Sequence, residues 1–343
     1  MANKVSLEDL AKRAGVHRST VSLALRNHPR ISERVRRRIQ DLAKELHYRA
    51  NPLVTALMQS RRTGKPDKHV TIAFVTNYPT RDGWRPSHHE RPDFFPGAGA
   101  RARELGYNLE HFWLAEPGMT PRRFCDILTT RGINGLILGR LPPGQNSLDL
   151  DWSRFSCVAL GMTLRSPVLH HVTENHFDTV WQCMRRCIDY GYRRVGFVFS
   201  EPNDSPRVGD RWLSAYLGQQ LQYPEENRLR PCPQIPVTFE SFKSWYARER
   251  PDAILATHAR HVLCWLEKMG TRVPEDVGIV DIEADWRLEC AGVYYDRAAI
   301  GSLAVEMLIG LMHRNETGVP IDQHEILLSG HWRDGGSLPR KSG

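Results

Sequence analysis

Between His17 and Pro29 the chain carries Arg18, Ser19, Thr20 and Ser22 and not one acidic residue. A guanidinium beside short hydroxyls can do one kind of chemistry well. It can hydrogen-bond to phosphates and to the polar edges of bases. The apolar residues of the same stretch, Val16, Val21, Ala24 and Leu25, are spaced as one buried face of a helix. An exposed helix is usually padded with Glu and Lys. An acid-free outer side of small polar residues suits a helix that lies against a polyanion, as in the major groove of DNA.

Other chemistries find less support. Cys183 and Cys187 lie four apart on a helical pattern that also holds His176, and they read as core thiols. The pairs His88–His89 and His170–His171, and His258-x-x-His261, lack the further ligands that a metal site needs. There is no G-x-S-x-G, no Walker loop and no G-x-G-x-x-G. The "GAGAR" at Gly97 is too short and does not directly follow a strand. The expectation is a chain with no catalytic residues, no metal and no cofactor: not an enzyme.

The elements around Arg18 form a compact pattern. Ser6 caps a helix with Asp9 at its third position, and Val5 and Leu10 close a hydrophobic staple. Leu7, Leu10, Ala11 and Ala14 give that helix an apolar face, and Gly15 ends it. Only Gly15, Val16 and His17 separate it from a second helix over about Arg18–Arg26, the spacing of a helix-turn-helix. After "RNHPRIS", Ser32 caps a third helix with Val35, Ile39, Leu42, Ala43 and Leu46 on one face. Arg36, Arg37, Arg38 and Lys44 lie on the other.

Charge points the same way. The chain of 343 residues has 47 Lys+Arg and 39 Asp+Glu, a net charge of +8. Residues 1–68 hold 16 basic and 6 acidic side chains, leaving 31 and 33 for the rest. The basic excess therefore sits in the first fifth of the chain, which implies a polyanionic partner for it. Seven cysteines without C-x-x-C pairs, no apolar N-terminal signal and no apolar run of membrane length suggest a cytoplasmic protein without membrane attachment.

The residues "AGVHRSTVSLALRN" resemble the A-G-V-x-x-x-T-V-S-x-x-L/I-x-N signature of the lactose-repressor (LacI/GalR) family. The resemblance implies a homodimeric, sequence-specific regulator of transcription, a repressor, on double-stranded operator DNA. Each subunit serves one half of a near-palindromic site. The DNA contacts it implies are Ser6, His17, Arg18, Ser19, Thr20, Ser22, Leu23, Arg26 and Asn27. Arg18 and Ser19 occupy the two reading positions. His17 stands where the family has a capping Ser, and Leu23 where several relatives place a polar base reader. Arg26 stands near the usual Asn, with Asn27 one residue on.

"HYRANPLVTALMQSRR" follows where that family carries its hinge. Asn51 can cap and Pro52 suits the first helical position. Two turns of helix are marginal alone in water. The resemblance has the segment pair with its copy in the minor groove, through Val54, Thr55 and Leu57, with Leu57 as the wedge that kinks the duplex. Ala50, Val54 and Thr55 depart from the family's usual residues.

Beyond the linker "SRRTGKPDKH", short β-rich runs alternate with helical ones, from "VTIAFVT" to "EDVGIVDI". That rhythm means parallel sheets covered by helices. Two such cycles predict two similar α/β lobes, and this part resembles the family's effector domain, itself like the periplasmic sugar-binding proteins. The resemblance implies that "RAAIGSLAVEMLIGLMHR" returns to the first lobe and the strand near "HEILLS" to the second. Ligands bind at the carboxyl ends of such strands. The candidates there are Asn77, Asp82, Arg207, Arg211, Glu283 and Asp285, with Trp84, Trp212 and Trp286 to stack on a sugar. Each Trp also suits core packing. The resemblance implies a small-molecule effector, a sugar, between the lobes. The expected division is 1–50 helix-turn-helix, 51–60 hinge, 61–68 linker, 69–334 two-lobed domain and 335–343 disordered tail.

Overall fold

The computed structural model describes residues 7–25, 30–46, 70–85, 93–201, 204–233, 237–284 and 289–341. They fall into two compact units. One comprises residues 1–70 with 312–316, the other 71–311 with 317–343. The hinge and linker, 51–68, lie outside the described residues, as do Ser6, Arg26, Asn27, Asp285 and Trp286.

Among its described residues the first unit holds three helices, α1 (Leu7–Ala14), α2 (Arg18–Leu25) and α3 (Glu33–Glu45). Leu10, Ala11, Ala14, Val21, Ala24, Ile39 and Ala43 form its buried core. Gly15, at φ 62°, takes the left-handed turn that ends α1. Its N–H donates to the Lys12 carbonyl and that of Val16 to the Ala11 carbonyl, a Schellman closure.

The second unit has two lobes. In the first, β1 (Val70–Thr76), α4 (Phe95–Glu104), β2 (Tyr107–Trp113), α5 (Pro121–Thr130), β3 (Gly135–Leu138), β4 (Ser156–Leu160) and β5 (His170–Glu174) follow in order. The second contains α6 (His176–Asp189), β6 (Val195–Val198), α7 (Asp204–Arg207), α8 (Arg211–Gln220), α9 (Phe239–Glu249), β7 (Ala253–Ala256), α10 (Ala259–Lys268), β8 (Gly278–Asp281) and β9 (Ala291–Tyr294). Then come α11 (Arg297–Arg314), β10 (Glu325–Leu328) and β11 (His331–Arg333). The sheets read β10-β5-β4-β3-β1-β2 and β11-β9-β8-β7-β6. The pairings β1–β3, β3–β4, β4–β5 and β5–β10 are parallel, and so are β6–β7, β7–β8 and β8–β9. Strand β11 pairs antiparallel with β9. Buried Val, Ile, Leu and Phe fill both lobes. No helix among the described residues is long and apolar enough to cross a membrane.

Three expectations need correction. The strand in "HEILLS", β10, joins the first lobe and not the second, in register with His171–Glu174. Glu325 finds the His171 ring at 2.7 Å there, and an edge position suits its alternately exposed side chains. Residues 335–341 are not a disordered tail. Leu338 is 2% exposed against Gly278, and the Ser337 hydroxyl donates to the Ile279 carbonyl and accepts from Ala291 N–H. Finally, β5, β9 and β11 were not expected as strands; β5 and β11 carry polar His, Glu and Arg side chains and β9 a central glycine, so none shows the branched apolar run that marks equally short strands such as β3 and β8.

As expected, α11 returns to the first lobe. It crosses α4 so closely that a Cβ on Gly97 would lie 2.0 Å from the Ala298 carbonyl oxygen, and one on Gly301 2.1 Å from that of Phe94. Gly97 of "GAGAR" thus serves helix contact. Gly97→Val is expected to cost about 3 kcal/mol or more by overpacking, read as a lowered urea midpoint.

Candidate functional site

In the head, α2 presents the side chains that the sequence singles out. Arg18 and Ser19 are exposed, Thr20, Ser22 and Leu23 half-buried, and Val21 buried. His17 is exposed too and takes over the capping role of the missing Ser. Its carbonyl accepts from Thr20 N–H at 2.9 Å and Val21 N–H at 3.3 Å, while its ring Nδ1 accepts from Ser19 N–H at 3.3 Å. The Ser19 hydroxyl stands 2.9 Å from the same nitrogen. An exposed helix N-terminus with no acid in its first turn offers partial positive charge to an anion.

In the effector domain, charged side chains meet at the carboxyl ends of strands from both lobes. Glu174 ends β5 in the first lobe, and Glu283 lies just past β8 in the second. Both carboxylates are almost fully buried. Arg140, just past β3, donates to Glu174 at 2.6 Å, and Arg207 donates to Glu283 at 2.6 Å. Arg297, opening α11, stands between the two acids, 3.5 Å from Glu174 and 3.1 Å from Glu283. Five side chains alternate in sign across the cleft, and Arg297 ties lobe to lobe.

Around this chain lie buried polar atoms with no hydrogen-bond partner among the described residues. They are both ring nitrogens of His176, the Trp212 indole N–H and the Tyr295 hydroxyl. Burial lowers the His176 pKa to about 4, although Glu174 lies 4.0 Å away, so the ring is neutral. Burial, reinforced by Glu174 and Glu283, keeps the proton on the Tyr295 hydroxyl. Trp212 meets the His176 ring edge-on at 5.2 Å and carries the Arg207 guanidinium 5.0 Å over its face. Each orphaned group costs about 1–3 kcal/mol unless something satisfies it. Together they form a set of neutral donors and acceptors at the place where this fold class takes ligands.

The structure brings Arg207, Glu283 and Trp212 together. It sends Arg211 elsewhere, to Glu325 in the first lobe at 2.7 Å. Asn77, at the end of β1, donates to Gln145 at 2.9 Å. Asp82 is exposed on a turn. Trp84 packs with Phe74, Phe95 and His111, in the first lobe's own aromatic group. Sequence reasoning missed Glu174, His176, Arg140, Tyr295 and Arg297. Arg140 could have been found, because it follows the apolar strand "GLIL" as directly as Glu283 follows "GIVD". Glu174 was hidden with the unrecognised β5, and His176 had been weighed only beside Cys183 and Cys187 on its helix.

Cys183 and Cys187 sit in the second lobe's core. Among the described residues one trio, Glu201, Asp204 and His258, brings possible metal-ligand atoms within 4.8 Å of one another. The Asp204 carboxylate there already accepts from Thr257, from Glu201 N–H and from Arg207. A cation would have to displace a guanidinium.

Residues 6–51 match the family described as bacterial regulatory proteins, lacI family, and residues 184–338 match the periplasmic binding protein-like domain. The chain is 23% identical over 291 residues to the NTD biosynthesis operon regulator NtdR of Bacillus subtilis, covering 81% of this chain and 82% of that one. It is 21% identical over 287 residues to the probable HTH-type transcriptional repressor ExuR of the same organism, covering 81% of each. In fold it is similar to the lac repressor dimer bound to operator and the anti-inducer ONPF, with TM-score 0.54 and 17% identity, covering 98% of this chain and 100% of that one. It is also similar to the transcriptional regulator CelR–cellobiose complex, with TM-score 0.52 and 20% identity, covering 97% and 100%. The matched head, the matched effector domain and the regulators it resembles along most of its length agree: this chain belongs to the lacI family and is a DNA-binding regulator of transcription.

Proposed function

We propose that the chain is a cytoplasmic, non-enzymatic repressor that binds a near-palindromic operator as a homodimer and answers to a small sugar held between its two lobes. The observation that carries the ligand site is the set of unpartnered groups on His176, Trp212 and Tyr295 beside Glu174 and Glu283. A sugar's hydroxyls each donate and accept, so one ring can serve neutral donors, a neutral imidazole and carboxylates at once. The cellobiose complex of a relative of similar fold supports that class. On the DNA side, Arg18 is assigned to a guanine edge, with Ser19, Thr20 and Ser22 on base edges or phosphates. Ligand and operator affinities are then linked reciprocally.

The test is selection of bound duplexes from a random pool, repeated with a panel of mono- and oligosaccharides. One enriched, near-palindromic sequence is expected, its retention altered by one sugar type. Equal retention of all duplexes would overturn the reading. For the hinge, Leu57→Ala should leave the dimer intact yet abolish bending of the enriched duplex in a circular-permutation gel assay and weaken its binding. Unchanged bending would remove Leu57 from the minor groove.

A further inference from the structure

Three residues in a row on α3 do different jobs. Ile39 is buried in the head's core. Its two neighbours diverge to either side of it, about 100° each way around the helix. The Arg38 guanidinium donates to the carbonyl of Ala14, the last residue of α1. The Gln40 amide donates to the carbonyl of Ala24, in the last turn of α2, at 3.2 Å. Sequence pattern alone puts Arg38 with Arg36 and Arg37 on a basic outer face. In the fold, that guanidinium reaches back to its own domain.

We propose that Arg38 and Gln40 are positioning residues for DNA reading: they hold the turn and the recognition helix in place and do not themselves grip the duplex. The physical need is specific. Helices α1 and α2 have eight residues each, too few to be stable alone in water. Each leaves four carbonyls at its C-terminal end without intrahelical partners. The Schellman closure at Gly15 takes the carbonyls of Ala11 and Lys12; Arg38 takes that of Ala14. A cation there also opposes the negative end of the helix dipole. At α2, His17 holds the first turn through its ring nitrogen, and Gln40 holds the last. The reading helix is thus tied at both ends by side chains, and its orientation follows α3, which Ile39 anchors in the core.

This assignment separates cleanly from a phosphate-gripping role, because each lost phosphate contact flattens the salt dependence of binding by about 0.9 in log–log slope. Full-length Arg38→Met and Gln40→Leu proteins are titrated with a mixed-sequence duplex and with the duplex enriched by selection, at several salt concentrations. Both variants should lose about two- to tenfold affinity for the enriched duplex, the worth of one hydrogen bond. Binding to mixed-sequence DNA and both salt slopes should stay as in the parent. Amide exchange of α2, read without DNA, should speed up in Gln40→Leu while the effector domain is unchanged. A slope flattened by about 0.9 in Arg38→Met, or an unchanged preference for the enriched duplex with unchanged α2 exchange, overturns the proposal. Should Gln40→Leu unfold the head, Gln40→Asn carries the same test: its shorter amide should lower preference and α2 protection in a folded head, and no change in either refutes the brace. The exchange result holds whether or not any duplex is enriched.

Discussion

Replacing Arg297 by Met should destabilise the effector domain by about 3–5 kcal/mol, the usual result of removing one partner from a buried ion pair. Its side chain is 9% exposed, and Glu174 and Glu283, which it joins, are 1% exposed each. Arg140 and Arg207 would remain, one on each acid, but the shared central charge would be gone and two buried carboxylates would face each other across the gap. The expected observation is a fall in the urea midpoint at neutral pH. The pH dependence has a definite sign. Burial pushes the Glu174 carboxyl up, but Arg140, Arg297 and His176 outweigh it and lower the pKa from 4.5 to about 2. A carboxylate held lower in the folded state contributes stability that is complete above its unfolded pKa and is lost as pH falls toward the folded one. In Arg297→Met the Glu174 pKa rises, so the gap between variant and parent should be widest above pH 4.5 and narrow between there and pH 2. A variant as stable as its parent at neutral pH would mean that Arg297 does not compensate the two acids. A stable variant that still binds sugar but no longer changes its operator affinity would assign Arg297 to signalling alone.

The sequence carried some of this arrangement and not the rest, for physical reasons. The three head helices were legible because caps, Gly15 and apolar spacing all act within a few residues. So were strands such as 70–76 and helices such as 211–220 and 297–314, whose observed bounds coincide with the expected ones. Strands β5, β9 and β11 lacked the branched apolar run that marks the equally short β3 and β8, being broken by His, Glu and Arg or by Gly292. The lobe to which β10 belongs depends on a partner more than 150 residues away, His171, and no local pattern encodes that. In the cleft, Glu283 and Arg207 were expected from their places after strands, whereas their mutual pairing is a property of three dimensions. Arg211 looked equivalent to Arg207 in sequence. The turn between them, with Asp210 at φ 57°, sends it to Glu325 instead. Arg38 is the corresponding case in the head: its type and neighbours suggest a phosphate, while its geometry gives a helix cap.

Operator affinity should collapse with salt. Residues 1–68 carry 16 basic and 6 acidic side chains, while the remainder carries 31 and 33, so the attraction for DNA is concentrated in the head. If a dimer neutralises about 6–10 phosphates, log K should fall against log salt with a slope of about −5 to −9, which is about 10³–10⁵ in affinity between 50 and 200 mM. Specific and non-specific binding share this term, because phosphates carry no sequence. The preference for the enriched duplex should therefore vary far less with salt than either affinity does. That contrast divides the head's side chains by role. Substituting a phosphate-gripping arginine should flatten both slopes together. Arg18→Ala, if Arg18 reads a guanine edge, should cost about 1–3 kcal/mol on the enriched duplex only. Fluorescence anisotropy over a salt series, with both duplexes, reads all of these at once. Near-zero slope with the parent protein would mean that the basic excess of the head is not what holds the DNA, and the assignment of its arginines would fall with it.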